Sequence, residues 1–320
     1  MIDPKPLGEF ELIDWIRARA QQARGRTVLG IGDDCALLRF AAEAEALVTV
    51  DMLMDGRHFR LDRDGPEAVG YKALAVNLSD IAAMAGIPVA AVVAVALPRA
   101  SAVAVAKGLH AGMAPLAERF GVDLVGGDTN AWDGPLVVSV TVLGEATARG
   151  PVRRSGARPG DAILVTGALG GSLLGRHLRP EPRVAEALAL HAAAPIHAMI
   201  DISDGLTSDL GHILDESGAP GAILDPGAIP IHADARALGA DDGRPALDHA
   251  LHDGEDFELC LVVPPEAAVR LLQSPPAPAV VHRIGVVGER PGLWLRAADG
   301  SLSPLPARGF DHLRDREPPG

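Results

Sequence analysis

The stretch Val28 to Ala36, V-L-G-I-G-D-D-C-A, sets two adjacent carboxylates directly after two glycines split by one isoleucine. The glycines permit a sharp turn, and Asp33 and Asp34 repel each other unless solvent or a cation absorbs their charge. Similar acidic points recur as Thr49-Val-Asp51, Asn77-Leu-Ser-Asp80, Gly126-Gly-Asp128, Asp201-Ile-Ser-Asp204-Gly205 and Gly254-Glu255-Asp256. Taken singly, an Asp beside Gly is an ordinary turn residue or helix cap. Taken together, Asp34, Asp51, Asp80, Asp128 and Asp204 fall at expected strand ends and helix starts, where sheet-based folds place their sites. The expectation is that they converge on one metal-rich site.

The hydrophobic periodicity supplies the scaffold. Glu9 to Arg24 has apolar residues three to four apart and predicts a helix. Ala46 to Val50 reads as a strand that delivers Asp51 to its end. Pro66, favoured in a first helical turn, opens a helix to about Ala85 that puts Asn77 and Asp80 on one face. Val89 to Leu97 is an expected buried strand, and Ser101 an expected cap for a helix to Phe120. A short strand, Asp123 to Val125, is expected to end in G-G-D-T, with another over Leu136 to Leu143. The Gly-, Pro- and Arg-rich run Ala148 to Asp161 is the expected boundary between domains 1–148 and 149–320. Beyond it, strands are expected at 162–166, 199–202, 257–263 and 280–287, with Ser203 or Asp204 capping a helix over 206–217. Residues 218–245 read as partly loop. Alternating strands and helices in both halves give an α/β or α+β protein of two domains.

Composition excludes several functions. The chain has 320 residues and a net charge of −13, with Lys5, Lys72 and Lys107 as its lysines. Such an acidic chain without a basic block is not a general nucleic-acid or anionic-membrane binder, although divalent cations can reverse the local sign. No apolar stretch is long enough to span a bilayer, and the first residues lack a secretory signal pattern. Cys35 and Cys260 are far apart and read as reduced core thiols in a cytoplasmic chain. No Gly-Lys pair is present, so a P-loop is impossible, and G-x-G-x-x-G, G-x-S-x-G and H-E-x-x-H are absent. Asp51, Asp55, Gly56 and Asp62 imitate part of an EF-hand, but Leu53 occupies its third position and leaves the oxygen cage incomplete. Hard cations such as Mg²⁺ bind through a few carboxylates plus substrate phosphates, and a chain without a Lys-bearing phosphate loop needs metals to hold a triphosphate. His58 is either a solvated loop residue or a polar contact. The run Arg153 to Arg158 is either a solvated linker or a source of bidentate phosphate contacts through Arg154.

The motifs G-I-G-D-D-C-A, D-M-L-M-D-G-R-H-F, Y-K-A-L-A-V-N-L-S-D-I-A-A-M, V-G-G-D-T, R-S-G-A-R-P-G-D, D-I-S-D-G-L-T-S-D-L-G-H and G-E-D-F-E-L stand in the order seen in thiamine-monophosphate kinases. The chain resembles that family from about Gly8 to His312. The resemblance implies the two-domain aminoimidazole-ribonucleotide synthetase-like fold, with an N-terminal sheet domain that pairs in a homodimer and a C-terminal α/β domain. It implies Mg²⁺-dependent transfer of the ATP γ-phosphoryl to thiamine monophosphate, with ATP between the domains. It also implies several Mg²⁺ ions on Asp34, Thr49, Asp51, Asp80, Asp128, Asp201 and Asp204, of which Asp51, Asp128 and Asp204 are the central catalytic carboxylates. Gly127, Arg154 and Ser203 are implied ATP contacts, and His58, Glu255 and Phe310 implied thiamine contacts. Three positions depart from the family pattern: Val50 replaces a hydroxyl residue, His252-Asp253 replaces small residues, and Gly171 replaces an Asp. The rivals within the superfamily are the purine-pathway cyclo-ligase, selenophosphate synthetase and the hydrogenase-maturation dehydratase. A non-catalytic nucleotide- or metal-binding regulator is the alternative outside catalysis.

Overall fold

The computed structural model describes residues 9–19, 25–31 and 35–309. The chain divides into two compact units, residues 1–81 with 87–146 and residues 82–86 with 147–320. The first unit runs α1 (Glu9–Arg17), β1 (Thr27–Leu29), β2 (Leu37–Leu38), β3 (Ala46–Met54), α2 (Leu61–Ala83, whose last residues belong to the second unit), β4 (Ile87–Pro98), α3 (Ala102–Phe120), β5 (Asp123–Trp132) and β6 (Val137–Glu145). Its four-stranded sheet has the order β3-β6-β4-β5, antiparallel except for β4 with β5.

Two strands are longer than the sequence pattern predicts. β3 continues to Met54, so Asp51 lies inside the strand rather than at its end, because β6 pairs with it along its whole length. β5 runs through G-G-D-T to Trp132 because its parallel pairing with β4 continues from Ala90↔Asp123 to Pro98↔Trp132. Gly127 permits this, since a Cβ there would lie 2.0 Å from the Val93 carbonyl oxygen. Within α2, Gly65 has φ 76° and ψ 155°, which detaches the first turn, so continuous helix starts at Pro66 as the sequence predicts. Ser101 makes no side-chain cap, and α3 ends instead at Gly121 in the left-handed region.

α2 and α3 touch backbone to backbone. A Cβ on Gly70 would meet the Leu109 oxygen at 2.1 Å, and one on Gly112 would meet the Glu67 oxygen at 1.9 Å. The same helix buries Val69, Leu74, Leu78 and Ile81 completely or nearly so. That anchorage fixes the polar residues α2 presents to the sheet.

The second unit runs β7 (Ala162–Val165), α4 (Val184–Ala193), β8 (Ala198–Asp201), α5 (Leu206–Ser217), β9 (Gly221–Leu224), α6 (Ala233–Asp242), α7 (Ala246–His252), β10 (Leu259–Val263), α8 (Pro265–Gln273), β11 (His282–Gly288), β12 (Gly292–Arg296) and β13 (Leu302–Leu305). Its seven strands have the order β13-β12-β9-β11-β7-β10-β8. Ile163, Val165, Ile200, Leu210, Ile213, Cys260, Val262 and Ile284 build one core between this sheet and α5. The Gly- and Pro-rich stretch read as loop contains β9 and α6. Gly221 marks a strand because a Cβ there would lie 2.2 Å from the Gly292 oxygen, a close approach rather than a turn. Cys260 is a core thiol as expected, but Cys35 is exposed. It lies between the two strands of the β1–β2 ribbon, whose Val28, Leu29 and Leu37 are exposed as well. Among the described residues, no helix is long and apolar enough to cross a membrane.

Gly112→Ala is expected to lower stability by about 1–3 kcal/mol through overpacking. Gly211→Ala, inside α5 with nothing within 4 Å of the new methyl, is expected to raise it by about 0.4–1 kcal/mol. Urea denaturation of the two variants checks both signs.

Candidate active site

In the first unit the alternation of β3 sorts its side chains. Leu47 and Leu53 are buried on the face that also carries Thr49 and Asp51, while Val48, Val50, Met52 and Met54 are 42–65% exposed on the other. α2 covers the first face and brings Asp80 onto it. The Thr49 hydroxyl donates a short hydrogen bond to Asp80 Oδ2. Asp51 is pushed up to about 7, first by burial and then by the charge of Asp80 and a hydrogen bond to it. Two carboxyl groups this close disfavour a second negative charge. One turn earlier on α2, Asn77 is fully buried; its Nδ2 donates to the Ala73 oxygen at 3.0 Å, and its Oδ1 lacks a hydrogen-bond partner among the described residues. Thr49, Asp51, Asp80 and Asn77 thus gather oxygen donors of the kind that a hard divalent ion takes.

The register places the G-G-D segment elsewhere on the sheet. Asp51 pairs with Val140, Val140 with Val93 and Val93 with Gly127, a path of three inter-strand spacings or about 14 Å. Asp128 pairs through Ala94 and Ser139 to Met52, hence on the opposite face from Asp51, and accepts from Asn130 Nδ2 at 3.0 Å. Asp128 therefore does not join the Asp51–Asp80 cluster. Asp34 and Phe310 lie outside the described residues.

His58 occupies an ordered turn. The Met54 N–H donates to His58 Nδ1 at 3.0 Å, so in the neutral ring the N–H is on Nε2. Gly56, at φ 85°, closes the turn with an N–H to the Phe59 oxygen, and Asp55 Oδ1 accepts the Leu61 N–H at 3.0 Å. The fully buried Lys72 donates to the His58 carbonyl at 2.7 Å.

In the second unit, β8 ends at the buried Asp201, and a turn through Ser203, Asp204 and Gly205 starts α5. The N-cap position falls to Gly205, rather than to Ser203 or Asp204 as the sequence reading has it. Asp209, buried in the first turns of α5, reaches back instead. Its Oδ2 accepts the Asp204 N–H at 3.1 Å, and its carboxyl also accepts the Gly205 N–H. Burial pushes Asp209 up to about 8, with further upward contributions from Asp201 and Asp204. Ligand atoms of Asp204, Asp209 and His212 lie within 4.8 Å of one another. The Glu255 N–H donates to the Ser203 oxygen at 2.7 Å and the Phe257 N–H to the Ile202 oxygen at 2.8 Å. Asp201, Ser203, Asp204 and Glu255 are thus gathered at one end of the sheet. Arg154 is exposed and makes no ion pair among the described residues. Its neighbours Gly156 and Ala157 donate to the Ser217 hydroxyl, at the far end of α5, about 18 Å from Asp204 along a twelve-residue helix.

Asp209 and His212 escaped the sequence reading. Their signal is the spacing within D-I-S-D-G-L-T-S-D-L-G-H, where Asp209 and His212 share a helix face three residues apart. The family departures have local causes. Val50 projects from the exposed face of β3, away from Asp51 and Asp80. Gly171 has φ 76°, and a Cβ there would lie 2.4 Å from the Ala235 nitrogen, so an Asp has no room. Asp253 Oδ2 accepts the Gly171 N–H at 3.1 Å, and His252 Nδ1 meets the Thr207 hydroxyl at 2.9 Å.

Residues 32–146 match the family model described as AIR synthase related protein, N-terminal domain. The first unit, which contains the matched residues and the Thr49, Asp51 and Asp80 cluster, is of that class. A thiamine-monophosphate kinase of Rhodopirellula baltica is 40% identical over 311 residues, covering 95% of this chain and 97% of its own. The crystal structure of thiamine-monophosphate kinase from Stenotrophomonas maltophilia superposes with a TM-score of 0.77 at 38% identity, covering 93% and 98% of the two chains. AaThiL complexed with AMPPCP and TMP superposes with a TM-score of 0.73 at 29% identity over 98% and 99%. The chain belongs to the thiamine-monophosphate kinase family.

Asp51, facing Asp80 and Thr49, and Asp209, facing Asp201, Asp204, His212 and Cys260, both have folded-state values above the ordinary carboxylate range. Their stabilising contribution is therefore full below about pH 4 and is lost as pH rises through about 7 and 8. Between pH 6 and pH 9, the metal-free protein is expected to lose thermal stability, and millimolar Mg²⁺ to remove most of that difference. Differential scanning calorimetry with and without chelator checks this.

Proposed function

We propose that the protein transfers the γ-phosphoryl group of ATP to thiamine monophosphate, giving thiamine diphosphate and ADP, in a Mg²⁺-dependent reaction. Family membership supports the substrate pair, and the closely apposed Asp51 and Asp80 carboxyls are the observation that supports the metal requirement. The acceptor is a phosphate oxygen, already ionised near neutral pH, so the protein needs no strong general base. What it must supply is alignment and charge compensation.

In this reading Thr49, Asp51 and Asp80 hold Mg²⁺ from the first unit, and Asp201 and Asp204 from the second. Asp34 and Asp128 are proposed as further ligands, Asp128 for an ion apart from the Asp51–Asp80 pair, since it lies on the other sheet face. When bound, Mg²⁺ neutralises charge on the phosphate oxygens during transfer. Gly127, Arg154 and Ser203 contact ATP. Ser203 lies beside Glu255 through a backbone hydrogen bond, so nucleotide and thiamine contacts adjoin in the second unit. His58 Nε2–H, the Glu255 carboxylate and the ring of Phe310 engage thiamine monophosphate.

The exposed stripe Val48, Val50, Met52 and Met54 lies on an edge strand of the four-stranded sheet. A long, apolar, open edge is an aggregation hazard unless another chain covers it. This supports the homodimer, formed through the first unit's sheet. Two free cysteines fit a cytoplasmic setting.

Incubation with ATP, Mg²⁺ and thiamine monophosphate is expected to yield thiamine diphosphate, read by chromatography. Asp51→Asn and Asp204→Asn are each expected to cut kcat by roughly 10²-fold or more, and chelator to abolish turnover. ATP binding without thiamine diphosphate formation would instead point to a superfamily relative. Val50→Asp is expected to convert the dimer to monomer in analytical ultracentrifugation; an unchanged dimer would remove β3 from the interface.

A further inference from the structure

The segment Asp253–Glu258 carries two backbone outliers of the kind that cost energy. Glu255 has φ 60° and Phe257 has φ 52°, both in the left-handed region although neither is glycine. Non-glycine residues persist there only where their surroundings over-determine them, and such strain concentrates at functional sites.

The surroundings here are unusually explicit. Asp256, buried between the two outliers, accepts the Gly170 N–H at 2.8 Å through Oδ2 and an Arg176 Nη2 hydrogen at 3.0 Å through Oδ1. The same Arg176 nitrogen donates to the Gly170 oxygen at 3.0 Å, so one guanidinium ties the carboxylate to the loop it holds. Asp253 Oδ2 takes the Gly171 N–H, and the Ser172 hydroxyl donates to the Gly254 oxygen at 2.6 Å. On the opposite side, Glu255 N–H reaches Ser203 O and Phe257 N–H reaches Ile202 O. Gly170 and Gly171 have φ of 87° and 76° and no room for a Cβ, so their N–H groups are fixed in direction. Asp253 and Asp256 both bond to this loop, and Glu255 stands between them in sequence, half-buried.

We propose that Arg176, Asp256 and the Gly170–Ser172 loop form a positioning clamp that holds Glu255 in its left-handed conformation and aims its carboxylate at the cationic thiazolium part of the substrate. Arg176 and Asp256 are positioning residues in this arrangement and touch no reacting atom. The inference rests on the thiamine-monophosphate reading and adds to it the device that sets acceptor affinity.

The clamp predicts a split between the two substrates. Arg176→Gln is expected to raise KM for thiamine monophosphate by at least about tenfold, the scale of a misplaced contact, while KM for ATP stays within about twofold. Arg176→Lys, which keeps a cation against Asp256, is expected to recover part of the loss. Should Arg176→Gln fail to fold, Ser172→Ala decides, because it deletes only the bond to Gly254; a severalfold rise in the same KM is expected. Glu255→Gly, which removes the carboxylate and keeps the left-handed backbone accessible, is expected to raise KM for thiamine monophosphate. Unchanged acceptor KM in folded Arg176→Gln, Ser172→Ala or Glu255→Gly, or an equal loss for ATP, would each overturn the clamp. Wild-type protein that forms no thiamine diphosphate would overturn the underlying reading and the inference with it.

Discussion

The interaction on which the first unit depends is repulsion between Asp51 and Asp80. Two carboxylates on adjacent elements, shielded from water, cannot both be ionised without a compensating charge. The chain nevertheless directs both onto the same face of β3, and it uses backbone geometry to do so. Gly70 and Gly112 let α2 approach α3 at carbonyl contact distance. That leaves α2 little freedom to rotate Asp80 away from Thr49. The electrostatic cost is thus borne by packing, and under the proposed function a bound cation would offset it.

The second unit solves a related problem differently. Its carboxylates sit on turns rather than on a packed helix face, so hydrogen bonds to backbone do the fixing. Asp209 holds the Asp204–Gly205 turn from inside α5, and Asp253 and Asp256 hold the Gly170–Gly171 loop. In each case a carboxylate accepts backbone N–H groups in the turn or loop beside another acidic residue, Asp204 or Glu255. A reader of motifs sees equivalent acidic residues; the structure separates those that hold backbone N–H groups from the rest.

That separation explains what was legible in the sequence. The period of 3.6 over Pro66 to Ala83 and the proline at its start defined α2, and the three-residue spacing put Asn77 and Asp80 together. The convergence of Thr49, Asp51 and Asp80 needed only strand alternation and one helix crossing above it. Strand lengths were less legible, because Gly126-Gly127 signals a turn in sequence but serves a close strand approach in space. Asp128 consequently falls on the opposite face from Asp51, a matter of register that no local pattern encodes. Asp209 was hidden for a third reason: its partners are backbone N–H groups, which have no residue type to read.

The left-handed Glu255 extends the same logic to selectivity. A carboxylate on a flexible turn would sample many directions and lose rotational entropy on meeting a cationic ring. Holding the backbone at φ 60° shifts that cost from binding to folding, where the buried Arg176–Asp256 pair and the two glycines offset it. Both units therefore place energetically unfavourable features, like charges in one and backbone strain in the other, where ligand can relieve or exploit them. The rest of each unit, an aliphatic core around an open sheet in one and around a seven-stranded sheet in the other, provides the stability against which those local costs are carried.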